Sequence, residues 1–149
     1  MARKATTELE TKANRHQVIR RLVHENHVRT QQQLVDLLSA EGFTCTQTTI
    51  SRDITTLHLT KSRGKYYVFE EELRLERLAT EMVDSVEDAG NIVVFKTRGG
   101  AAAGVAGALD DAKLEGVLGT VAGDDTIMLV AKTPEAAKAI ADQIAGYID

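Results

Sequence analysis

The chain has 149 residues and a formal net charge of −4; 43% of it is hydrophobic, 27% is charged, and Trp is absent. That balance excludes a disordered chain and leaves one ordinary domain or two small ones, built on an aliphatic core. A single cysteine, Cys45, excludes an internal disulfide and a Cys-rich zinc site, and the most apolar long stretch, GGAAAGVAGAL, is too short to span a membrane.

The polar start, MARKATTELETK, has no apolar run, so no secretory leader is expected and a reduced, cytoplasmic setting fits. Charge is unevenly spread. Residues 1–65 hold 11 Lys and Arg against 6 Asp and Glu, a net of +5; residues 66–149 hold 7 against 16, a net of −9. A basic front and an acidic rear suggest two domains with different partners.

In chain order, KANRHQVIRRLVHE (12–25) places Val18, Ile19, Leu22 and Val23 on one stripe of a helix. In TQQQLVDLLSAEG, Thr30 and Gln33 have capping-box spacing, Leu34, Leu37 and Leu38 form the buried face, and Gly42 marks the stop. Thr46 opens a third helix, TQTTISRDITTLH, with Ile50, Ile54 and Leu57 on its apolar side. LTKSRGKYYVFEE predicts strands over 59–62 and 65–69 around an Arg63-Gly64 turn. The acidic run at 70–72 is the expected boundary, giving domains 1–69 and 70–149.

Beyond it, EEELRLERLATEMVDSVEDAG carries a helical stripe of Leu73, Leu75, Leu78, Met82 and Val86. NIVVFKT (91–97) predicts a strand, GGAAAGVAGALDDA (99–112) a helix, and EGVLGTV and TIMLVAK two further strands. The last helix, TPEAAKAIADQIAGYI, has Thr133 as N-cap, Pro134 at its first position and Glu135 in its positive first turn. The rear therefore reads α-β-α-β-β-α, and the whole chain is of the α+β class.

On a helical wheel of the third helix, Thr48, Arg52 and Thr55 lie opposite the apolar sector, with Ser51 and Gln47 beside them. Short polar side chains around one Arg suit a DNA groove: Arg pairs with guanine edges, Gln with adenine, Ser and Thr with phosphates or thymine methyls. The following hairpin carries Lys61, Arg63 and Lys65, where phosphates or a minor groove come within reach, and Arg20, Arg21 and Arg29 add positive charge. A solvated three-helix module for protein contact shares the helix pattern. The basic charge, the polar outer face and the hairpin favour double-stranded DNA. RNA is disfavoured by the lack of an aromatic stacking platform.

In GTVAGDDTIMLV two acids, Asp124 and Asp125, stand between apolar runs. Gly and Asp suit a hairpin turn. One Asp suffices for that, and adjacent carboxylates repel, so a compensating cation is expected. A metal would need more oxygen ligands, with Asp110 and Asp111 as candidates; an internal cation would be Arg98 or Lys96; a ligand guanidinium would match the carboxylates with its planar fork. An enzyme using Asp124 and Asp125 as acid/base groups or metal ligands is a reading of a different class. It finds little support: His16, His24, His27 and His58 all lie in the front half, and no activated Ser or Cys motif is present. No catalytic residue and no metal site are predicted.

The stretch TQTTISRDITTLHLTK, led by TQQQLVDLLSAEG, closely resembles the DNA-binding domain of bacterial arginine repressors, and GVLGTVAGDDTIMLV resembles the C-terminal signature of the same family. The likeness runs in family order from about Arg15 to the end. It implies an N-terminal winged helix-turn-helix plus a C-terminal two-layer α/β domain for oligomerisation and ligand binding. It implies an arginine-dependent regulator, a repressor of arginine biosynthesis and catabolism genes, with operator DNA as partner and L-arginine as corepressor rather than a cofactor. In the family L-arginine binds at contacts between the subunits of two stacked trimers, so a homohexamer is implied.

Carried over residue by residue, the resemblance makes Thr48, Ser51 and Arg52 DNA contacts, while Asp53 is expected to pair with a nearby base or to cap. Asp124 and Asp125 would receive the ligand guanidinium, and Asp110 and Thr120 would shape the pocket. The start of the GGAAAG helix would lie near the ligand's α-carboxylate and amino ends. The chain departs from the family there. Gly99-Gly100 stands where Pro-Gly is common, and Ala103 where a ligand-contacting Gln is frequent. Ala103 is the residue that supports the alternative of a relative binding DNA without arginine.

Overall fold

The computed structural model describes residues 2–149, with side chains from Thr11 onward. The chain divides into two compact units, one ending at Glu70 and the other spanning Glu71–Asp149.

The first unit is α1 (Ala2–Glu25), α2 (Gln31–Ala40), α3 (Gln47–Thr56), β1 (Leu59–Ser62) and β2 (Tyr66–Phe69). α1 starts well before its apolar stripe, because the preceding Ala, Arg, Lys and Glu residues are strong helix formers. The Thr30 hydroxyl accepts from Gln33 N at 3.0 Å and starts α2. Gln33 returns the bond one residue further back than a standard capping box, its Oε1 accepting from Arg29 N at 2.8 Å. Thr46 caps α3 in the same way, accepting from Thr49 N at 3.3 Å.

Ile19, Leu22, Val28, Leu34, Leu38, Ile50, Leu57, Leu59 and Phe69 fill the core between these elements. α3 stops where His58 turns left-handed, at φ 53°, and its N–H bonds Thr55 O at 3.2 Å. The β1–β2 hairpin closes through Arg63 (φ 50°) and Gly64 (φ 69°), with Lys65 N donating to Ser62 O at 2.9 Å. Two consecutive left-handed residues are what a type I′ turn requires, and its twist matches that of the strands. The second strand starts at Tyr66, with Lys65 left to the turn. Tyr67 N donates to Val28 O at 2.8 Å and ties the α1–α2 loop to the hairpin.

The second unit holds α4 (Glu70–Met82, whose first residue closes the first unit), β3 (Val83–Ala89), β4 (Ile92–Thr97), α5 (Ala102–Asp111), β5 (Val117–Ala122), β6 (Thr126–Ala131) and α6 (Pro134–Ile148). Its sheet has the order β3-β4-β6-β5, with antiparallel neighbours throughout. One expectation is overturned: the helical stripe does not continue to Val86, and VDSVEDA is a strand. A bulge between Val83 and Ser85 inserts one residue, so Val83 opposite Thr97 and Val86 opposite Phe95 share the inner face at a spacing of three. In the sequence Val86 follows Met82 by four, which continues the helical period of α4.

Val93, Phe95, Ile127 and Leu129 of the sheet pack with Leu75 of α4, Val105 and Leu109 of α5, and Ile140 and Ile144 of α6. The Thr133 hydroxyl accepts from Ala136 N at 3.1 Å, capping α6 ahead of Pro134. No helix among the described residues is long and apolar enough to cross a membrane.

Candidate functional site

The first unit presents one face of α3. Ile50 and Asp53 are buried, while Gln47, Thr48, Ser51, Arg52 and Thr55 are exposed. The Thr55 hydroxyl is turned back onto Ser51 O at 3.3 Å, and Gln47 Nε2 donates to Gln32 Oε1 at 2.9 Å. Arg52 has no ion-pair partner among the described residues. The face is thus polar and carries one uncompensated guanidinium.

Asp53, next to Arg52, points the other way. Its carboxylate accepts from Arg15 Nε at 2.6 Å and Arg15 Nη2 at 2.9 Å, and lies 2.8 Å from His16 Nε2. Burial alone would raise its carboxyl pKa; the bonds to Arg15 and His16 outweigh this and hold it below the ordinary carboxylate value. The bond to Asp53 in turn raises the Arg15 guanidinium. The acid of the Ser-Arg-Asp stretch is therefore a tie within the unit.

The hairpin displays Lys61, Arg63 and Lys65, all exposed. Lys61 Nζ stands 5.3 Å above the Tyr67 ring, which steadies it without neutralising it. Lys65 and Tyr66 line a hollow with His27 and Arg29, and the His27 ring meets Tyr66 edge-on at 4.9 Å. A basic strip is the electrostatic footprint of a phosphate backbone.

In the second unit the acidic pair sits on the β5–β6 turn, where Gly123 N bonds Thr126 O at 2.8 Å. The turn is pinned by the backbone of the acids themselves. Asp125 O accepts from Thr97 N at 2.8 Å, and Asp124 O accepts from Gly100 N at 3.1 Å and Ala102 N at 3.2 Å. These bonds lock the turn against the β4–α5 loop and leave both carboxylates exposed. Asp125 Oδ1 accepts from the Thr126 hydroxyl at 2.9 Å. Lys96 donates to that same hydroxyl at 2.7 Å and makes no ion pair with the acids. Neither Asp124 nor Asp125 has a cationic partner among the described residues. No cluster of three or more His, Cys, Asp or Glu suited to a metal is found among them either.

Asp110 and Thr120 meet each other, the Thr120 hydroxyl donating to Asp110 Oδ1 at 2.9 Å. They meet at the far end of α5. Ala102, bonded to Asp124 O, and Asp110 lie about 12 Å apart along the helix axis. Asp110 and Thr120 thus sit at the opposite end of α5 from the bonds that pin the acidic turn. Ala103 is exposed in the first turn of α5, whose N-cap residue Ala101 offers no side-chain bond. Gly99 lies against the turn: a Cβ there would stand 3.7 Å from Asp124 Oδ2.

Two features escaped the sequence. Backbone pinning of the acidic turn carries no side-chain signal. The bond that Gln47 donates to Gln32 joins two helices, and only the i, i+4 spacing of Gln32 and Asp36 hinted that Gln32 is held.

Comparison with known proteins covers both units. A family model described as the arginine repressor DNA binding domain matches residues 10–74, and one described as the arginine repressor C-terminal domain matches residues 79–146. The arginine repressor of Thermus thermophilus is 40% identical, covering 92% of this chain and 90% of the relative. That of Symbiobacterium thermophilum is 41% identical, over 92% and 98% respectively. That of Bacillus velezensis is 38% identical, over 84% and 91%.

Proposed function

The chain belongs to the arginine repressor family, and from that premise we propose how its two units act as an arginine-dependent DNA-binding transcriptional repressor. The first unit lays α3 in the major groove. Arg52, Ser51 and Thr48 are the central contacts, Gln47 and Thr55 flank them, and Lys61, Arg63 and Lys65 on the hairpin meet phosphates or the adjacent minor groove. Arg52 carries most of the base discrimination, because it is the one cation on that face.

The second unit takes L-arginine. The observation that carries this reading is the pair Asp124 and Asp125: two exposed carboxylates on a turn locked by its own backbone, with no cation from the described residues to meet them. A guanidinium offers five donors in a planar fork and suits such a pair. The start of α5, which has no side-chain cap, is the positive end of a helix and favours the ligand's α-carboxylate nearby. Asp110 and Thr120 complete a pocket when they come from a neighbouring subunit, which fits a site between subunits. The assembly in this reading is a hexamer of two stacked trimers. Its regulated genes are those of arginine biosynthesis and catabolism, and its setting is the cytoplasm. Apart from L-arginine no cofactor enters, and no reaction is catalysed.

Arginine held between subunits stabilises the arrangement that grips paired half-sites, and operator DNA must tighten arginine binding by the same factor. The test is operator binding with and without L-arginine, alongside calorimetric titration of the Asp125→Asn variant. Arginine should raise operator affinity, and the variant should lose the arginine heat while keeping its fold. Operator affinity and oligomer size both indifferent to arginine would sink the corepressor role.

A further inference from the structure

Gln47, the first residue of α3, donates Nε2 to Gln32 Oε1 at 2.9 Å, and Gln32 donates its own Nε2 to Asp36 Oδ1 at 2.9 Å. This relay has a direction. An ionised carboxylate only accepts, so Gln32 must turn its NH2 toward Asp36. Its oxygen is then left for Gln47 and, being an acceptor too, fixes which end of the Gln47 amide faces it. A primary amide can otherwise flip end for end. Here the charge on Asp36 sets the orientation two side chains away.

The consequence lies on the open side of Gln47. One N–H of its NH2 is used by Gln32. The other N–H and Oε1 remain, a donor beside an acceptor. The major-groove edge of adenine presents the complement, N7 as acceptor and the N6 amino group as donor. Guanine presents two acceptors, N7 and O6, and Oε1 would face one of them in repulsion. Gln47 is exposed at the N-terminal end of α3, which is where a recognition helix meets base edges. The Thr46 hydroxyl, bonded to Thr49 N and to the Thr49 hydroxyl, fixes the backbone from which Gln47 projects.

We propose that Gln32 and Asp36 are positioning residues for sequence specificity: they hold the Gln47 amide in the one orientation that selects adenine over guanine at one base pair of the operator. The inference rests on the DNA-binding reading above. Neither residue needs to touch a base.

The experiment is selection from a randomised duplex library by the full-length protein with L-arginine, followed by sequencing of the bound fraction. Wild type, Gln47→Ala, Gln32→Ala and Asp36→Asn are compared. Gln47→Ala should flatten the preference for A·T at one position, by roughly tenfold for the loss of a bidentate contact. Gln32→Ala should flatten the same position and no other. Asp36→Asn should let guanine rise at that position, because Asn can donate as well as accept; any uniform gain from removing a negative charge is read separately, across all positions. If Gln47→Ala flattens a position that Gln32→Ala leaves sharp, the relay is overturned while the base contact stands. If Gln47→Ala flattens nothing, the contact and the relay both fall. If wild type enriches no sequence at all, the DNA reading itself fails.

Discussion

Arg15 grips Asp53 in a two-bond fork, Nε to Oδ2 at 2.6 Å and Nη2 to Oδ1 at 2.9 Å, and so ties α1 to α3. The pair divides the labour of the Ser-Arg-Asp stretch. Arg52 faces outward, and the acid beside it, which would repel phosphate if exposed, is turned inward and neutralised. Losing hydrogen bonds to a charged group costs about 1.5–3 kcal/mol, so Asp53→Asn should destabilise the first unit. The pH dependence has a definite sign. The Asp53 carboxyl pKa is lowered by folding, so its stabilisation is complete above the ordinary carboxylate range and is lost as pH falls through the lowered value. Hydrogen exchange at α3 amides should show the widest gap between wild type and variant near neutrality, closing in acid. A gap that does not narrow on acidification would exclude the charged pair as its source.

Gly116 is constrained twice. Its φ is 82°, and a Cβ placed there would stand 2.7 Å from the Ala136 Cβ on α6. Its carbonyl accepts from Lys132 N at 2.7 Å, so the loop before β5 cannot drift aside without losing that bond. Left-handed backbone costs an L-residue about 1–2 kcal/mol and overpacking about 1–3 kcal/mol, so Gly116→Ala should lose about 2–5 kcal/mol. Denaturant unfolding of the full chain reads this as a lower midpoint at unchanged slope. An unchanged midpoint would mean that the α6 start gives way freely.

Most of the first unit was legible because its signals are local. Thr30 and Thr46 announce helix starts by side-chain chemistry, and Arg63-Gly64 announces a turn by backbone chemistry. β3 was not legible, because Val86 follows Met82 by four residues and so continued the helical period of α4. The acidic pair was legible as an anomaly. Its rigidity was not, since Asp124 and Asp125 are held through their carbonyls, which every residue possesses. Asp53 was legible as an acid out of place beside a DNA contact; its partner lies 38 positions away in the sequence and only folding brings the two together.

The hairpin cations and Arg52 should separate in how they depend on salt. Lys61, Arg63 and Lys65 are exposed and reach phosphates in the proposed reading. Replacing any one by Ala should lower the slope of log affinity against log salt by about 0.9, equally for operator and unrelated duplex. Arg52→Ala should instead narrow the gap between operator and unrelated DNA, by about 1–3 kcal/mol if it holds a guanine edge bidentately. Filter binding over a salt series on both duplexes checks the two together. An Arg52→Ala protein that still prefers its operator by the wild-type factor would reassign the reading face of α3.

The outer face of the sheet is where assembly should be decided. Register places Val94 opposite Met128 and Met128 opposite Val121, so three apolar side chains form a row across β4, β6 and β5 on the side away from the core. Val121 is 72% exposed and Met128 44%, and Leu118, at the bulge of β5, is 64% exposed. An apolar row on an otherwise acidic unit suits a protein contact, and in the proposed hexamer it is the face that another subunit covers. The proposed arginine site between subunits would then depend on that contact. Met128→Lys should therefore lower the sedimentation mass and the arginine heat together, while the first unit keeps its weak, salt-dependent affinity for unrelated DNA. Loss of mass with arginine binding intact would place the ligand within one subunit. An unchanged mass would show that the row is not the contact.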